Sequence, residues 1–486
     1  VSSDTRYASK GRFTQSVNID VNTGKFGSYT SYRRQQAEGW QLNPYEENSK
    51  THELEETGKV ASTGFYANTV NQKFTFDATD KLSFYARGGY YDNKTRRPYE
   101  AYDYNILHET FNYGIGAQYM INKGNYITAD CYADHFSSSY CFFKDNKTYN
   151  GKAGEEQVRK RTRNHNLSIK GIFKLGNRHK LSVGTEYIVD VLKSQTDNIA
   201  KEDAYTLALF AQDEIKLLRN LQALIGVRYI YHENFKNHAT PNVALMYKPG
   251  KFNFRASYAA GFRTPTLSEL YATDIAKKND RLTIGNLDLK PEKNNYFSLS
   301  AEYVHERFSV SVNAFYNNIR DMIDYNTIAT GDKAMEQYGH KEVRQRDNIA
   351  EAKVHGINVS ANAYLGAGFN LSGGYTHLNT QDVELEQPID KSIKNAYNIN
   401  AQWAHSWKIY RLNINLNGRF NSKRFSKSYG YAPEYQLWDL NTRHSFNLKS
   451  VIIEPGCGIE NLFDYTDDRP YNSNYATLTP GRSFYI

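Results

Sequence analysis

The stretch YRLNINLNGRF at 410–420 alternates strictly between two kinds of side chain. One set is Tyr410, Leu412, Ile414 and Leu416, whereas the other carries three asparagines flanked by arginines. A period of two is that of a β-strand, whose successive side chains point to opposite faces of the sheet. The stretch therefore predicts a strand with one apolar and one amide-rich face, and the fold depends on which face is inside.

The same alternation recurs along the chain, for example at 221–231, 297–303 and 308–316. Two kinds of connection separate these segments. Short ones are rich in turn residues, as in NTGK and NKGN, and predict hairpins. Long polar ones lie at 41–58, 92–107, 144–160, 263–293, 325–347, 382–394 and 422–433. Because the two kinds alternate almost strictly, we expect tight turns at one end of the strands and elaborate loops at the other.

Counting these segments gives about 22 strands, if 1–8 is the end of a first strand and 479–486 the last. Segments of 10–14 residues match tilted strands that cross a bilayer. The sequence therefore predicts an all-β fold over 1–486, a transmembrane antiparallel β-barrel with short periplasmic turns and long extracellular loops. Such a barrel is too wide for side chains to fill, so the asparagine face should line the lumen and the leucine face should meet lipid. Aromatic side chains near strand ends should form interfacial girdles, among them Trp403, Trp407, Tyr410 and Trp438.

Composition excludes several other classes. The mean hydropathy is −0.72 and no apolar run approaches the roughly 18 residues of a spanning helix, which excludes a helical membrane protein. The net charge of +8 favours anionic partners such as lipopolysaccharide phosphates, but no concentrated basic patch predicts nucleic-acid binding. The densest basic cluster, RKRTRNHN at 159–166, is interpreted as a solvated strand end. Soluble sandwiches or a propeller remain the alternative fold, although a propeller should show an internal repeat of about 40–50 residues, and none is seen.

The three cysteines have no metal-site spacing, and no catalytic triad is evident. Cys131 and Cys141 could form a disulfide in an oxidising compartment, which would leave Cys457 unpaired. His355 and Ser360 lie on one predicted strand but differ by an odd number, so they point to opposite faces. We therefore expect no enzyme activity.

Three groups of motifs resemble those of the TonB-dependent transporters of Gram-negative outer membranes. They are YAAGFRTPTLSELY at 258–271 with GNLDLKPEKNNYFSLSAEY at 285–303, NIAEAKVHGINVSANA at 348–363, and GIENLFDYTDDRPY at 458–471 with PGRSFYI at 480–486. The first pair is similar to the boxes that end one strand of the family, form an extracellular loop and open the next strand. Its box residues are Phe262, Arg263, Pro265, Leu267, Glu269, Leu270, Asn286, Leu289, Pro291 and Glu292. Arg263, Glu269, Lys290 and Glu292 are expected to hold the base of this loop by charge pairs.

The resemblance implies a multi-pass protein of the outer membrane of a Gram-negative bacterium. It further implies that 1–486 is the barrel portion of a longer protein, with the family's N-terminal plug domain not present in this chain. Import would then be driven by the TonB–ExbB–ExbD energy-coupling complex through that N-terminal region. A surface lipoprotein is a further possible partner.

The family's compact members import ferric siderophores, haem or cobalamin, and the sequence discriminates poorly among them. The barrel length and box pattern favour a cobalamin or haem cargo narrowly over a siderophore. Cargo binding is expected from side chains of the extracellular loops: Arg96, Arg97, Tyr99, Tyr102, His340, Arg344 and Arg346. Basic and aromatic side chains of this kind suit an anionic siderophore and can also stack on a tetrapyrrole plane. His340 and His52 are candidate iron ligands.

No covalently bound cofactor is expected. Calcium in the extracellular loops is possible, and the cargo is expected to contain iron or cobalt. A passive outer-membrane porin is the alternative from another functional class.

Overall fold

The computed structural model describes residues 1–48, 51, 53–276, 280–427, 430–467, 469 and 479–486. Its elements in chain order are β1 (Ser2–Ala8), β2 (Arg12–Thr23), β3 (Phe26–Ala37), β4 (Tyr45–Glu47), β5 (Leu54–Glu56), β6 (Gly64–Asp77), β7 (Leu82–Arg96), β8 (Tyr104–Asn122), β9 (Asn125–Phe142), β10 (Glu156–Leu175), β11 (His179–Ser194), β12 (Ile199–Leu218), β13 (Leu221–His232), β14 (Lys236–Tyr247), β15 (Phe252–Arg263), α1 (Leu267–Tyr271), β16 (Thr273–Ala276), β17 (Arg281–Ile284), β18 (Glu292–Val304), β19 (Phe308–Thr330), α2 (Gly331–Tyr338), β20 (Glu342–Gly366), β21 (Phe369–Asp382), β22 (Asn395–Trp407), β23 (Tyr410–Asn421), β24 (Arg424–Ser426), β25 (Gly430–Ala432), β26 (Tyr435–Leu448), β27 (Val451–Ile453), β28 (Gly456–Glu460) and β29 (Ser483–Tyr485).

Twenty-two of these strands form one closed antiparallel barrel, as predicted. Strands β4 with β5 and β24 with β25 are separate ribbons, β16 with β17 lies in a loop, and β27 pairs with β26 just ahead of β28. Each remaining strand pairs with the next along the chain, and β1 closes the ring against β29. No helix in the described part of the chain is long and apolar enough to span a bilayer.

The two ends of the barrel differ, but less strictly than predicted. At one end, called the short-turn end, every connection between β2 and β28 is two to four residues long. At the other, the loop end, the connections at 9–11, 195–198 and 233–235 are also short. Most of the segments 92–107 and 325–347 are strand rather than loop, because β7, β8, β19 and β20 continue past the apolar part of their pattern.

The register shows which face of the sheet is inside. A cavity of about 610 Å³ is lined by residues from β10 to β19, including Lys180, Gln222, Arg255 and Asn313. One cavity can touch so many neighbouring strands only on the concave side of a curved sheet. Residues paired across antiparallel strands share a face, and the pairs from Asn313 through Asn358, Thr376 and Ala396 reach Asn421 on this concave side.

On β23, Asn413, Asn415 and Asn417 therefore line the lumen, and Leu412, Ile414 and Leu416 point outward. Asn400 Nδ2 on β22 donates to the side-chain oxygens of Asn415 and Asn417 at 2.5 Å. The amide face is thus a hydrogen-bonded ladder along the lumen wall.

Aromatic side chains bound the outward apolar band at both ends. At the short-turn end Trp403, Trp407, Tyr410 and Phe446 pack together, with the rings of Trp407 and Tyr410 5.5 Å apart. Towards the loop end the outward rings are Tyr375, Tyr397, Phe420 and Trp438. From Tyr410 to Phe420 a strand rises about 33 Å along its axis, or about 23 Å in height at a 45° tilt, which matches the apolar band of a membrane barrel.

The sequence leaves a disulfide between Cys131 and Cys141 open, and the structure excludes it. Both cysteines lie on β9, ten residues apart, and all three cysteines are free. An extended strand separates such residues by about 33 Å, whereas a disulfide needs Cα atoms within about 7 Å.

Backbone hydrogen bonds between β1 and β29, together with one carboxylate on β28, hold the seam of the barrel. Tyr7 N donates to Ile486 O at 2.9 Å, and Glu460 accepts from Arg6 at 2.5 Å and from Arg12 at 2.6 Å. We expect Glu460→Gln to lower the free energy of unfolding by about 1–2 kcal/mol, because two charge-assisted but partly exposed bonds are weakened. The measurement is the temperature at which the folded barrel loses its compact migration on a denaturing gel. An unchanged temperature would show that the backbone bonds alone hold the seam.

Candidate functional site

Arg263 is the hub of the loop that joins β15 to β18. Its guanidinium donates to Glu269 at 2.9 Å and to Glu292 at 2.6 Å, so it joins α1 to the first residue of β18. Glu269 also accepts from Thr266 N at 2.8 Å while Thr266 Oγ1 accepts from Glu269 N, which is a capping box that starts α1. Lys290, expected to join this charge network, contributes its backbone N–H, which donates to Asn348 Oδ1 at 2.7 Å.

The other box residues shape the same loop base. Leu270 and Leu289 form a buried cluster with Ile323, and Asn286 N donates to Glu269 O at 3.0 Å. Pro265 and Pro291 are buried at the two ends of the loop, Leu267 opens α1, and the ring of Phe262 stacks on His238 at 4.7 Å. These contacts give the box segment a structural role in holding the loop.

The carboxylates of Glu269 and Glu292 are held in their charged form by the groups around them. Burial raises the pKa of Glu269 and of Glu292, but the hydrogen bonds from Arg263 and the backbone outweigh it, so both pKa values lie below the ordinary range. A depressed pKa contributes stability that is present above the ordinary pKa and is lost as the pH falls through the folded value.

We expect amide protection across 266–270 to hold down to about pH 4.5, the ordinary glutamate pKa, and to fall below it. Glu269→Gln should remove about 1 kcal/mol of protection at neutral pH, which is roughly fivefold in the opening equilibrium. Hydrogen–deuterium exchange from pH 3 to 7, corrected for intrinsic rates, measures both. Equal profiles for the two proteins would contradict the role assigned to Glu269.

A second group of predicted residues lies on β20 and next to α2. His340 Nδ1 lies 2.9 Å from Asp280 Oδ1, and this bond is the first cause of the lowered pKa of Asp280. Arg344 Nε donates to Glu342 at 2.5 Å, and the Arg346 guanidinium lies 3.6 Å from the centre of the Tyr325 ring. Arg344 and Arg346 are thus engaged within the β19–β20 hairpin, whereas His340 joins that hairpin to Asp280 beside β17.

A third group gathers at the loop ends of β7 to β10. The rings of Tyr104 and Tyr140 stack at 4.1 Å, and Tyr149 meets Tyr140 edge-on at 5.2 Å. Arg97 lies 5.1 Å from the centre of the Tyr104 ring, and Arg159 lies 5.3 Å and 5.0 Å from those of Tyr140 and Tyr149. We call these five residues the tyrosine–arginine cluster. The register places Tyr104 and Tyr140 on the lumen side, so the cluster lines the mouth of the barrel.

The cluster carries positive charge that no carboxylate neutralises. Within the described residues neither Arg97 nor Arg159 forms an ion pair, and Arg159 Nε is a buried donor without a hydrogen-bond partner. Burial and the neighbouring Tyr104 raise the pKa of Tyr149, so its hydroxyl stays neutral at physiological pH.

The structure brings only some of the predicted binding residues together. Arg97 and Tyr102 join at 4.7 Å, Tyr99 lies beside Lys144, and Arg96 faces Tyr66 at 5.9 Å. His340, Arg344 and Arg346 lie on the opposite side of the barrel, since nine barrel strands separate β8 from β20. Tyr140, Tyr149 and Arg159 were missed, although continuing the alternation of β9 to Tyr140 would have placed it in the lumen.

Metal binding has no support from clustered ligands. The part of the chain that the structure describes contains no group of three or more His, Cys, Asp or Glu side chains placed to hold a metal ion. Calcium in the loops stays a prediction, and His52 lies outside the described residues.

Comparison with known proteins agrees with this architecture. A family model for the β-barrel of TonB-dependent receptor-like proteins matches residues 4–462. The fold is similar to a mutant of the ferric enterobactin receptor PfeA from Pseudomonas aeruginosa, with a TM-score of 0.82, 15% identity and coverage of 99% of this chain and 78% of the other. The siderophore receptor PirA from Acinetobacter baumannii has a TM-score of 0.77 and 14% identity, with coverage of 99% of this chain and 79% of the other. The copper transporter OprC has a TM-score of 0.76 and 10% identity, with the same two coverages.

At these identities the structural matches speak for the fold alone, whereas the family model covers nearly the whole barrel. Together with the 22 strands and the aromatic girdles, it places the protein in the outer membrane with its loop end outside. The chain belongs to the family of TonB-dependent receptors.

Proposed function

We propose that this receptor imports an anionic, aromatic ferric siderophore of the catecholate class. The observation that carries the proposal is the tyrosine–arginine cluster: two guanidinium groups without carboxylate partners lie over three packed tyrosine rings at the mouth. A ferric tris-catecholate presents three aromatic rings and a net negative charge. It can therefore stack on the tyrosines and accept hydrogen bonds from the arginines.

The position of Arg159 supports the same class of cargo. Its guanidinium lies 5.3 Å and 5.0 Å from the ring centres of Tyr140 and Tyr149, so a positive charge and a stacking surface stand together for an anionic catecholate. The ferric enterobactin receptor and the siderophore receptor with similar folds are consistent with such a cargo. Uptake would be energised through TonB together with ExbB and ExbD.

A tetrapyrrole is the second candidate, favoured by one observation. The bond between His340 Nδ1 and Asp280 fixes the ring and leaves Nε2 available, which is the arrangement typical of metal-ligating histidines. A haem or a cobalamin would then bind at the α2 side of the mouth, and His340→Ala would remove its axial ligand.

Visible absorption separates the two candidates. The receptor is titrated with a ferric tris-catecholate, hemin and cyanocobalamin, and with a neutral ferric hydroxamate as the control for charge. We expect saturable binding of the catecholate complex with its charge-transfer band retained, and weaker binding of the hydroxamate. Saturable binding of hemin or cyanocobalamin that His340→Ala abolishes would instead establish the tetrapyrrole cargo.

A further inference from the structure

Strand β10 carries an exposed stripe that changes from basic to apolar along its length. Arg161, Arg163 and His165 are exposed, and Leu167 and Ile169 continue the same face towards the short-turn end. The intervening residues point to the other side, as Asn164 does where it donates to Asp190 at 2.7 Å. The basic segment predicted as a solvated strand end therefore presents its exposed cations on one face, in line with two apolar side chains.

This stripe lies on the outside of the barrel. Leu167 pairs with Tyr187 and Tyr187 pairs with Leu207, and these exposed side chains belong to the outward apolar band. The rings of Tyr187, Tyr205 and Tyr231 form a row across β11, β12 and β13, with centres 5.9 Å and 6.1 Å apart. Such a row marks the outer membrane–water interface.

The cations lie just above that row. Arg163 is four residues beyond Leu167 on its strand, which is about 13 Å along the strand and about 9 Å in height at a 45° tilt. Lys193 on β11 pairs directly with Arg161. We call Arg161, Arg163 and Lys193 the outward cation patch.

The patch is uncompensated within the protein. Like charges directly opposite each other on two strands are destabilising, yet none of the three cations forms an ion pair among the described residues. The nearby outward carboxylates are already engaged: Asp203 pairs with Lys201 at 3.2 Å, and Glu109 accepts from Tyr90 at 2.9 Å.

We propose that the outward cation patch binds the phosphate groups of a phosphorylated glycolipid of the outer leaflet, with its acyl chains on Leu167 and Ile169. The positive charge of the patch complements the negative charge of the phosphates. The height of the patch above the tyrosine row is that of a lipid headgroup. Each arginine guanidinium can donate two parallel hydrogen bonds to the oxygens of one phosphate, and the ammonium group of Lys193 adds a further positive charge. Exposed apolar side chains directly below would contact the chains of the same lipid.

The test compares lipid A that carries both phosphates with dephosphorylated lipid A. The delipidated receptor is loaded with either lipid in detergent, and retained lipid is counted by native mass spectrometry at rising salt. We expect the phosphorylated form to bind at least tenfold more tightly and to be released by salt. The combined variant Arg161→Gln, Arg163→Gln and Lys193→Gln should lose this preference, and each single variant should lose part of it.

Lys170→Gln is the matched control. Lys170 is exposed on the same strand but on the lumen face, so the control should retain the lipid as the native protein does. Compact gel migration of every variant verifies folding. Equal retention by the native protein and the combined variant, or equal binding of the dephosphorylated lipid, would overturn the proposal.

Discussion

Replacing Ile414 by arginine should lower the stability of the folded barrel by about 2–4 kcal/mol, because the new charge would face hydrocarbon near the membrane midplane. Ile414 lies on the outward face of β23, between the aromatic rings of Tyr410 and Phe420. The measurement is the free energy of unfolding in urea of the barrel refolded into lipid vesicles, followed by tryptophan fluorescence.

The neighbouring substitution Asn415→Arg is the matched control. Asn415 lines the wet lumen, where an arginine stays solvated and only the bond from Asn400 is lost. The expected cost is therefore about 0.5–1.5 kcal/mol. If the two substitutions cost the same, or the order is reversed, the assignment of the faces is wrong.

The fold was predictable because a period of two, repeated over the chain, leaves few architectures. The interior of a barrel with this many strands is too wide for side chains to fill, so the polar face of 410–420 must line a wet lumen. The register from Asn313 to Asn421 places it there. The turn residues at 22–25 and 122–125 marked the short-turn end correctly.

The extent of the strands at the loop end was not predictable in the same way. Hydrophobic alternation reports contact with lipid, and beyond the membrane both faces of a strand are wet. Strands β19 and β20 therefore continue as polar sequence to Thr330 and from Glu342, where the pattern predicts a loop.

Only part of the candidate site was predictable from the sequence. The charge pairs of Arg263 with Glu269 and Glu292 were predictable, since the two motifs lie at the two ends of one loop and bring these residues to its base. The tyrosine–arginine cluster depends instead on contacts between residues from separate connections: Tyr104 and Tyr140 meet at the far end of the long β8–β9 hairpin, and Arg97, Tyr149 and Arg159 come from the neighbouring connections and β10.

Arg159→Gln should weaken binding of a ferric tris-catecholate by about 1.5–3 kcal/mol, roughly 10- to 150-fold in Kd. The substitution removes the positive charge and the terminal guanidinium that lies over Tyr140 and Tyr149, and it leaves a shorter polar side chain in place. Arg159→Lys should recover only part of the loss, because an ammonium restores the charge without the planar fork. Quenching of intrinsic fluorescence by the ferric complex gives the affinities.

Arg161→Gln supplies the control for this last prediction. Arg161 is two residues further along β10, and the bulge between Val158 and Lys160 leaves it on the outward face while Arg159 lies over the tyrosines. The two variants therefore carry the same change in net charge on opposite sides of the wall. A local contact predicts that only Arg159→Gln loses affinity, whereas attraction by the overall positive charge predicts small and equal losses in both. A large loss confined to Arg159→Gln would thus place the cargo against the tyrosine–arginine cluster, and equal losses would remove it from there.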